Sequence, residues 1–268
     1  TLSGGESAGK AFTLEPWEAF IVGSLFGWKL PDGTRRFRVG YVEIGKGNGK
    51  SPLAAGIGLY MLVADGEQRA EVYSAAVDKD QAMILFRDGV QMVKASPTLY
   101  ERLDMSGGEG KEWTIAYLET ASFFRPISSE HAGGRGKSGF RVHCGLLDEV
   151  HEHPTSAMVD FMRANAKGRQ PLIFEITNSG HDRRTVCYQH HELSVRVLEG
   201  VIDNDAWFAY VCSLDPCEAC RQEGRSSPKD GCAECDDWRD EATWIKANPN
   251  LGVSISHRYL RELVAEAG

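Results

Sequence analysis

The sequence feature that most constrains the fold is a glycine-rich loop that ends in Lys50 and Ser51. A mostly apolar stretch with β-branched residues, 37–44, precedes the loop, and a helical pattern follows over 52–63. Backbone N–H groups of such a loop and of the helix N-terminus bind anionic oxygens. The lysine ammonium group would reach the terminal phosphates of a nucleotide, and the serine hydroxyl would help to hold Mg²⁺. The sequence therefore predicts a nucleoside triphosphate site, whose phosphate-binding residues are Gly45, Gly47, Asn48, Gly49, Lys50, Ser51 and Pro52.

The loop departs from the usual pattern G-x-x-x-x-G-K-[ST], because Ile44 stands where the first glycine would be. Gly45 and Gly47 would turn the chain instead. A second Gly-Lys-Ser occurs within 133–139, but a strand pattern over 140–147 follows it rather than a helix. The first loop is therefore the better candidate, and the alternative for it is an ordinary turn before a helix.

Two carboxylates end an apolar strand far along the chain from the loop. The run 142–147 leads into Asp148 and Glu149. Ligands of a parallel sheet gather at the carboxyl ends of its strands, and that edge also carries the loop. Asp148 would bind Mg²⁺ beside Ser51, and Glu149 would orient and deprotonate the attacking water. The alternative is a solvated strand end, but the carboxylate pair and the loop together favour hydrolysis of ATP or GTP.

A third apolar strand, 171–177, runs into a short polar segment that contains Asn178, Ser179 and Gly180. Thr177 and Asn178 could sense the terminal phosphate, because their side chains donate and accept hydrogen bonds at a strand end. Such groups could couple hydrolysis to movement of the segment that follows. The alternative is a simple turn.

Hydrolysis also needs a cation that offsets charge on the transferred phosphoryl group. Lys46 in the loop is one candidate. Arg135 lies in a glycine-flanked loop and could enter the site of a neighbouring subunit, although it could equally be an ordinary surface residue. Lys137 and Arg141 are further alternatives.

Strands alternate with helices along most of the chain, which predicts an α/β fold with a mainly parallel sheet and helices on both faces. With the loop, this order predicts a P-loop NTPase of the ASCE, RecA-like class, plus a small cysteine-rich insert. The 268 residues suffice for one large domain with an appendage. We expect a flexible tail over 1–10, the ATPase domain over 11–211, the insert over 212–240 and the end of the domain over 241–268. The predicted strands are 35–44, 70–76, 113–117, 121–127, 142–147 and 171–177, and the predicted helices are 14–22, 52–64, 78–95, 154–166, 190–199 and 258–266.

Four of the seven cysteines form two Cys-x-x-Cys pairs in the acidic late part of the chain. This spacing is typical of a structural zinc site, in which full thiolate coordination leaves no open position for catalysis. The alternatives are reduced thiols in a flexible segment or an oxidised cysteine pair, and Cys212 is a spare, weaker ligand candidate. The predicted zinc ligands are Cys217, Cys220, Cys232 and Cys235.

The overall charge limits the classes of protein to which the chain can belong. Thirty Lys and Arg against 38 Asp and Glu give a formal net charge of −8. This argues against a surface coated with basic residues that grips nucleic acid, although a local basic patch is compatible with it. No apolar run of about 18 residues occurs, so we expect no membrane span.

Several motifs, in their order along the chain, resemble those of the large terminase subunit of tailed phages with HK97-like heads, in its N-terminal ATPase domain. The resemblance covers most of the chain outside the cysteine insert, and the order and spacing of the motifs make it specific. The motifs are Leu14 to Glu18 with Phe26 to Trp28, Ile44 to Ser51, Tyr73 to Ala82, Leu147 to Glu152, Thr177 to Gly180 and Trp244 to Gly252.

The resemblance implies further roles for individual residues. Trp17 and Glu18 lie in the segment that recognises adenine in the family, which usually has Gln where this chain has Glu18. Lys46 stands at the position of a basic residue that is often arginine and acts as an internal finger. Arg135 matches an arginine that acts across subunits, and Thr177 begins the motif that couples hydrolysis to movement.

The resemblance also implies an ATPase that uses ATP and Mg²⁺ to drive double-stranded DNA into a procapsid. Family members act as a homo-oligomeric ring, usually of five subunits, on the portal protein, while a small terminase subunit selects the DNA. The expected location is the host bacterial cytoplasm, at the procapsid portal during assembly and not in the mature virion. The family carries a C-terminal nuclease domain toward which 241–268 would lead, and we expect no nuclease activity from this chain.

Three alternatives remain open at this point. A helicase-like or other DNA translocase shares the loop and the Asp-Glu strand, but it would need a second RecA-like domain that the residues after Gly180 do not supply. A nucleotide-gated scaffold would bind ATP without hydrolysing it, and an intact Glu149 argues against that function. A DNA-binding or partner-binding role for the cysteine insert is disfavoured for DNA by the acidity of the insert.

Overall fold

The structure is a computed structural model that describes residues 12–128, 139–166, 170–180, 182–225, 227–229 and 231–267. The predicted tail over 1–10 and the predicted finger Arg135 lie outside the described residues. The described residues form one mixed sheet with helices on both of its faces.

Eight strands form the sheet, namely β1 (Val39–Glu43), β2 (Glu71–Ala76), β3 (Asp104–Ser106), β4 (Thr114–Tyr117), β5 (Ser122–Ser128), β6 (Val142–Leu147), β7 (Leu172–Thr177) and β8 (Trp207–Val211). Their order across the sheet is β3-β4-β5-β2-β6-β7-β1-β8. The strands from β5 to β8 in this order are all parallel, and β3 and β4 extend the sheet antiparallel at one edge. The strand that leads into the glycine-rich loop, β1, therefore lies inside the parallel part of the sheet.

Nine helices belong to the described part of the chain, namely α1 (Pro16–Gly27), α2 (Lys50–Val63), α3 (Lys79–Ala95), α4 (Pro97–Arg102), α5 (Ala157–Asn165), α6 (Val186–Leu198), α7 (Glu218–Gln222), α8 (Trp244–Ala247) and α9 (His257–Ala267). Short 3-10 turns occupy Leu118–Thr120 and Val150–Glu152. Helices α1, α2 and α3 pack against one face of the sheet, and α5 and α6 pack against the other.

Two hydrophobic clusters lie on the two faces of the sheet and share its strands. Val72 and Leu146 belong to the cluster beneath α1–α3, whereas their chain neighbours Tyr73 and Leu147 belong to the cluster beneath α5 and α6. Successive side chains of a strand point to opposite faces, so β2, β6 and β7 each supply both clusters. This accounts for the nearly continuous apolar sequences of β6 and β7, which are buried at every position.

The structure confirms the predicted α/β class, the mainly parallel sheet and its helices on both faces. Strand β1 begins at Val39 rather than at 35, because Arg35 forms an isolated antiparallel bridge with Lys29. Helix α6 begins earlier than predicted, after Thr185, whose side chain accepts a hydrogen bond from the Tyr188 backbone N–H. Strands β3 and β8, which lie at the two edges of the sheet, were not predicted.

The predicted domain limits stay predictions. Strand β8 ends at Val211, and the predicted insert over 212–240 begins directly after it. Among the described residues, no helix combines the length and the apolar character that crossing a membrane requires.

Candidate functional site

Three neighbouring strands bring the predicted site together at one edge of the sheet. In the register of the parallel pairs, Glu43 at the end of β1 lies beside Thr177 of β7, and Leu147 of β6 lies beside Glu175. The glycine-rich loop, Asn178 and Asp148 follow these three strand ends directly. The sheet therefore places the loop, the carboxylate pair and the polar segment side by side.

The loop adopts a conformation that depends on two of its glycines. Gly47 and Gly49 have φ of 87° and 82°, a left-handed region that side chains with a Cβ rarely occupy. Gly49 is also the residue that precedes α2. Ile44, which replaces the usual first glycine, is buried, and its N–H donates to the Thr177 carbonyl at 3.1 Å. Ile44 thus extends the strand pairing, and the chain turns only after it.

Lys50 begins α2 and points back into the loop. Its Nζ donates to the Ile44 carbonyl at 2.9 Å, the Gly45 carbonyl at 3.3 Å and the Asn178 Oδ1 at 2.5 Å. Burial lowers the pKa of the ammonium group, while the nearby carboxylates act against that shift. The ammonium group therefore lies among neutral acceptors, which an anionic ligand could replace.

Asp148 and Ser51 face each other across the site, with the Ser51 hydroxyl donating to the Asp148 Oδ2 at 3.4 Å. Burial and the charge of Glu149 raise the pKa of Asp148 to about 7. A hydroxyl and a carboxylate are oxygen ligands of the kind that Mg²⁺ prefers, and a cation beside Asp148 would favour its ionised form. The two residues therefore fit a magnesium site.

Glu149 has the backbone conformation of a strained residue, with φ of 47° and ψ of 55°. Left-handed backbone is uncommon for residues other than glycine and occurs often at functional sites. The Glu149 Oε2 lies 3.3 Å from the His151 Nδ1, yet this atom makes no hydrogen bond with the described residues. The carboxylate therefore has a buried oxygen whose capacity to accept a hydrogen bond is unused among the described residues.

Two histidines near the carboxylates contact the strand ends. His151 donates its backbone N–H to the Thr177 Oγ1 at 3.0 Å, and its Nδ1 lies 3.1 Å from the same oxygen. The His153 Nε2 lies 3.2 Å from the Asp148 carbonyl oxygen. The His151 contacts link the segment after β6 to the end of β7, and the His153 contact lies within that segment.

A buried polar network behind the loop was missed by the sequence analysis. The Glu43 carboxylate accepts hydrogen bonds from Tyr41 at 2.6 Å and from Ser179 at 2.7 Å, and it pairs with the His191 Nδ1 at 3.0 Å. Burial acts to raise the pKa of Glu43, but His191 and the two hydroxyls outweigh it and hold that pKa below its usual range. Because Ser179 follows Asn178, the network fixes the segment that contacts Lys50. The sequence did contain a signal of this network, because Glu43 is an acidic residue at a buried strand position.

The segment after α8 also packs on the loop, which the sequence did not predict. The Asn250 Nδ2 donates to the Asn48 carbonyl at 2.8 Å, and the Asn250 backbone N–H donates to the Asn48 Oδ1 at 3.0 Å. The Asn248 Oδ1 accepts from the Asn48 Nδ2 at 3.2 Å, and Ser254 donates to the Gly47 carbonyl at 2.7 Å. Hydrogen bonds from a segment about two hundred residues later in the chain therefore hold the loop in place.

The predicted adenine-recognition residues are both buried. The Trp17 indole N–H donates to the Asn250 Oδ1 at 2.7 Å, and its ring stacks on Tyr210 at 6.0 Å between centroids. The Glu18 Oε2 accepts from the Glu15 backbone N–H at 2.8 Å, within the first turn of α1. Lys46, by contrast, is exposed at the outer side of the loop.

The four predicted zinc ligands lie together, and their sulfur atoms are all within 4.8 Å of one another. The Cys232 Sγ is 3.8 Å from that of Cys217 and 4.0 Å from that of Cys220. Tetrahedral Zn²⁺ with Zn–S bonds of about 2.3 Å needs sulfur separations of about 3.8 Å. Hydrogen bonds from the backbone of Cys217 and Lys229 lower the pKa of Cys235 to about 6, which favours its thiolate. The donor set therefore fits a structural zinc ion.

The cysteine module is attached to the segment that packs on the loop. The Lys246 Nζ on α8 pairs with the Asp215 Oδ2 at 2.8 Å and with the Asp236 Oδ2 at 2.7 Å. These two carboxylates lie on either side of the four cysteines in the sequence. The module is thus linked through α8 to Asn248 and to the loop.

A glycine loop before a helix, a carboxylate pair at a nearby strand end and the parallel sheet that carries both define a P-loop NTPase. A family described as the terminase large subunit, ATPase domain, matches residues 16–196. The chain belongs to this family, and the predicted class is thereby confirmed.

Individual relatives agree with this family. The large terminase subunit of Enterobacteria phage HK97 is 26% identical over 268 residues, which cover 98% of this chain and 46% of that protein. Protein YmfN of Escherichia coli (strain K12) is 32% identical over 127 residues, 47% of this chain and 24% of YmfN. The crystal structure of the HK97 large terminase matches the fold with a TM-score of 0.76 at 22% identity, over 97% of this chain and 48% of that chain. The chain thus spans less than half the length of these curated relatives.

Proposed function

We propose that this domain hydrolyses ATP at the edge of the sheet where the loop, Asp148 and Glu149 meet. The observation that carries the proposal is the convergence of Lys50, Ser51 and the carboxylate pair at strand ends that the register brings together. The loop residues Gly45, Gly47, Asn48 and Gly49 would surround the phosphates with backbone N–H groups, and Pro52, which has no N–H, would lie beside them in the first turn of α2.

Each polar side chain has a role that follows from its position. Lys50 would exchange its carbonyl partners for the terminal phosphates, and Ser51 with Asp148 would hold Mg²⁺. A bound Mg²⁺ would supply positive charge that offsets the phosphate oxygens. Glu149 would orient a water molecule and accept its proton, because one of its oxygens makes no hydrogen bond within the described residues.

The remaining predicted residues take supporting roles in this proposal. Asn178 contacts Lys50 directly and would lose that contact when the lysine binds phosphate, so with Thr177 it would report on the nucleotide. Lys46 and Arg135 are proposed to offset charge on the transferred phosphoryl group, in the same subunit and from a neighbouring subunit respectively. Trp17 and Glu18 are buried beside the loop, and they would hold the loop in place next to the adenine of the bound nucleotide.

We propose that the protein uses this hydrolysis to move double-stranded DNA into a procapsid. The family to which the chain belongs supports this function over a helicase-like translocase. The proposed partners are a portal protein, a small terminase subunit and further copies of this chain in a ring, five in the usual case. The proposed place of action is the portal of the procapsid in the cytoplasm of the bacterial host.

Phosphate release from ATP by the purified chain, with Mg²⁺ and double-stranded DNA, tests the hydrolysis. We expect Glu149→Gln to lower kcat by about 100-fold or more while ATP still binds, because the general base is lost. Glu152→Gln alters a more exposed carboxylate on the adjoining turn and serves as the matched control. If the unaltered chain and Glu149→Gln both bind ATP and are equally inert, the domain is a nucleotide-gated scaffold and the proposal is wrong.

We also propose that Cys217, Cys220, Cys232 and Cys235 bind one structural Zn²⁺, which the separations of their sulfur atoms support. Metal analysis of the purified chain should find about one zinc per chain. Cys220→Ser should lose the metal, whereas Cys212→Ser should keep it. Equal zinc content in the two variants would contradict the assignment.

A further inference from the structure

The cysteine module, which is the segment from Asp215 to Asp236, is joined to itself at its two ends. The Asp215 backbone N–H donates to the Asp236 Oδ2 at 2.7 Å, and the Asp236 N–H donates to the Asp215 carbonyl at 3.0 Å. Beside them, the Cys217 N–H donates to the Cys235 Sγ at 3.2 Å. A metal ion that gathers the cysteines would therefore also hold these two ends together.

Lys246 lies where the two ends of the module meet. Its ammonium group binds the carboxylates of Asp215 and Asp236 at 2.8 and 2.7 Å. Hydrogen bonds to these carboxylates raise the pKa of Lys246, which keeps the side chain charged. An exposed ion pair alone contributes little to stability, but a cation that bridges two carboxylates also offsets their mutual repulsion. One side chain of α8 thus connects both ends of the module.

The chain between the module and α8 is fixed by further contacts. The Trp244 indole N–H donates to the Trp238 carbonyl at 2.7 Å, and the Thr243 hydroxyl donates to the Asp237 carbonyl at 2.9 Å. The Trp244 side chain belongs to a residue that is buried. A displacement of the module would therefore be transmitted to α8.

The end of α8 packs directly on the glycine-rich loop. The Gly45 N–H donates to the Ala247 carbonyl at 3.3 Å, and the Asn48 Nδ2 donates to the Asn248 Oδ1 at 3.2 Å. A Cβ placed on Gly45 would lie 2.6 Å from the Asn248 Oδ1 and 3.3 Å from the Ala247 carbonyl oxygen. The loop and the end of α8 thus approach each other more closely than a side chain at position 45 would allow.

We propose that the cysteine module holds the glycine-rich loop in its nucleotide-binding conformation, with Lys246 as the positioning residue that connects the two. The inference rests on the proposed nucleotide site and on the proposed zinc ion. The metal joins the ends of the module, Lys246 binds these ends, and α8 with Asn248 fixes Gly45 and Asn48. The affinity for ATP therefore depends on a metal site outside the loop.

Zinc content and Mg²⁺–ATP binding are measured on the same samples of purified chain, by metal analysis and by calorimetry. Lys246→Glu should keep the metal, because the cysteines are unchanged. It should weaken ATP binding by about tenfold, since it places a third carboxylate beside Asp215 and Asp236. Lys246→Arg should bind ATP as the unaltered chain does, because it keeps the charge. Arg225→Glu reverses an exposed charge of the module, 3.9 Å from Glu223, and serves as the matched control.

Removal of the metal should act on ATP binding through the same contacts. Chelation of the zinc should weaken ATP binding by about tenfold, and added Zn²⁺ should restore it. In the Lys246→Glu variant, chelation should have little further effect on ATP binding, because the connection is already lost. This non-additivity would not result from two independent losses of stability.

The outcomes distinguish the inference from the proposed function. If Lys246→Glu keeps both its zinc and the ATP affinity of the unaltered chain, the inference is wrong. It is also wrong if the chelated chain binds ATP as tightly as before, and in both cases the proposed ATP site stands. If the unaltered chain holds zinc and binds no ATP, the proposed function fails and the inference fails with it.

Discussion

Glu18 is the single residue whose burial has the clearest consequence for stability. Burial raises the pKa of its carboxyl from an ordinary value of 4.5 to about 7. Above pH 7 the folded protein must ionise a buried carboxyl, which costs free energy that the unfolded chain does not incur. Between pH 4.5 and 7 the folded state holds a proton on Glu18 that the unfolded state lacks. The contribution of this group to the free energy of unfolding therefore rises as the pH falls through this range.

We expect Glu18→Gln to remove this pH dependence. The variant should have a higher free energy of unfolding than the unaltered chain, and this increase should be about 1 kcal/mol larger at pH 8 than at pH 5. Urea unfolding at the two pH values measures the difference. A Glu101→Gln variant, altered at an exposed position of α4, provides the control. The same gain at both pH values would contradict the assigned ionisation.

The contact between the segment after α8 and the loop depends on Asn250. Its side chain accepts from Trp17 and donates to the Asn48 carbonyl, and both of these partners belong to buried residues. Asn250→Ala should lower the free energy of unfolding by about 1–3 kcal/mol, because it leaves a buried donor and a buried acceptor without partners. It should also raise the KM for ATP, since Asn48 belongs to the loop.

Urea unfolding and steady-state hydrolysis measure these two effects of Asn250→Ala. Gln68→Ala changes an exposed amide far from the loop and should alter neither quantity. A KM for ATP that stays at the value of the unaltered chain would show that the segment does not position the loop.

The elements that the sequence predicted are those with long periodic patterns. Strands β2, β6 and β7 and helices α2 and α3 lie within two residues of their predicted limits. Edge strand β3 was missed because its three residues carry little apolar pattern. Strand β8 has an apolar sequence, WFAYV, rich in residues that favour strands, and the sequence analysis overlooked this signal. The convergence of Lys50 with Asp148 could be predicted, because the topology of a parallel sheet brings its strand ends to one edge.

The contacts missed by the sequence analysis join residues that are far apart in the chain. Asn48 and Asn250 are 202 positions apart, and Glu43 and His191 are 148 apart. No local pattern links such residues, so only the packed structure shows that they meet. The burial of Trp17 and Glu18 likewise follows from contacts with distant elements rather than from their own motif.

Across the whole molecule, a buried ion pair holds the edge of the sheet opposite the candidate site. Arg35 precedes β1 and is 0% exposed, and its guanidinium pairs with Asp65, which follows α2, at 2.8 Å. The same carboxylate lies 2.9 Å from the Nε2 of His143 in β6. The cluster therefore connects the strand before the loop, the helix after it and the strand of the carboxylate pair.

Asp65→Asn should lower the free energy of unfolding by about 3–5 kcal/mol, because it leaves the buried Arg35 without its counter-charge. The KM for ATP should stay unchanged, since the cluster lies at the other ends of the strands. Asp205→Asn breaks a solvent-exposed pair with Arg36 and should cost less than about 1 kcal/mol. Equal losses from the two variants would show that Asp65 does not stabilise a buried charge.

The central claim is that the loop, Lys50, Ser51 and Asp148 form one nucleotide site. A crystal structure with Mg²⁺ and a non-hydrolysable ATP analogue tests it most directly. We predict the terminal phosphate within hydrogen-bonding distance of the Lys50 Nζ, Mg²⁺ between Ser51 and Asp148, and Lys50 released from the Ile44 carbonyl. An analogue bound away from the loop, with Lys50 still bonded to Ile44 and Asn178, would contradict the account.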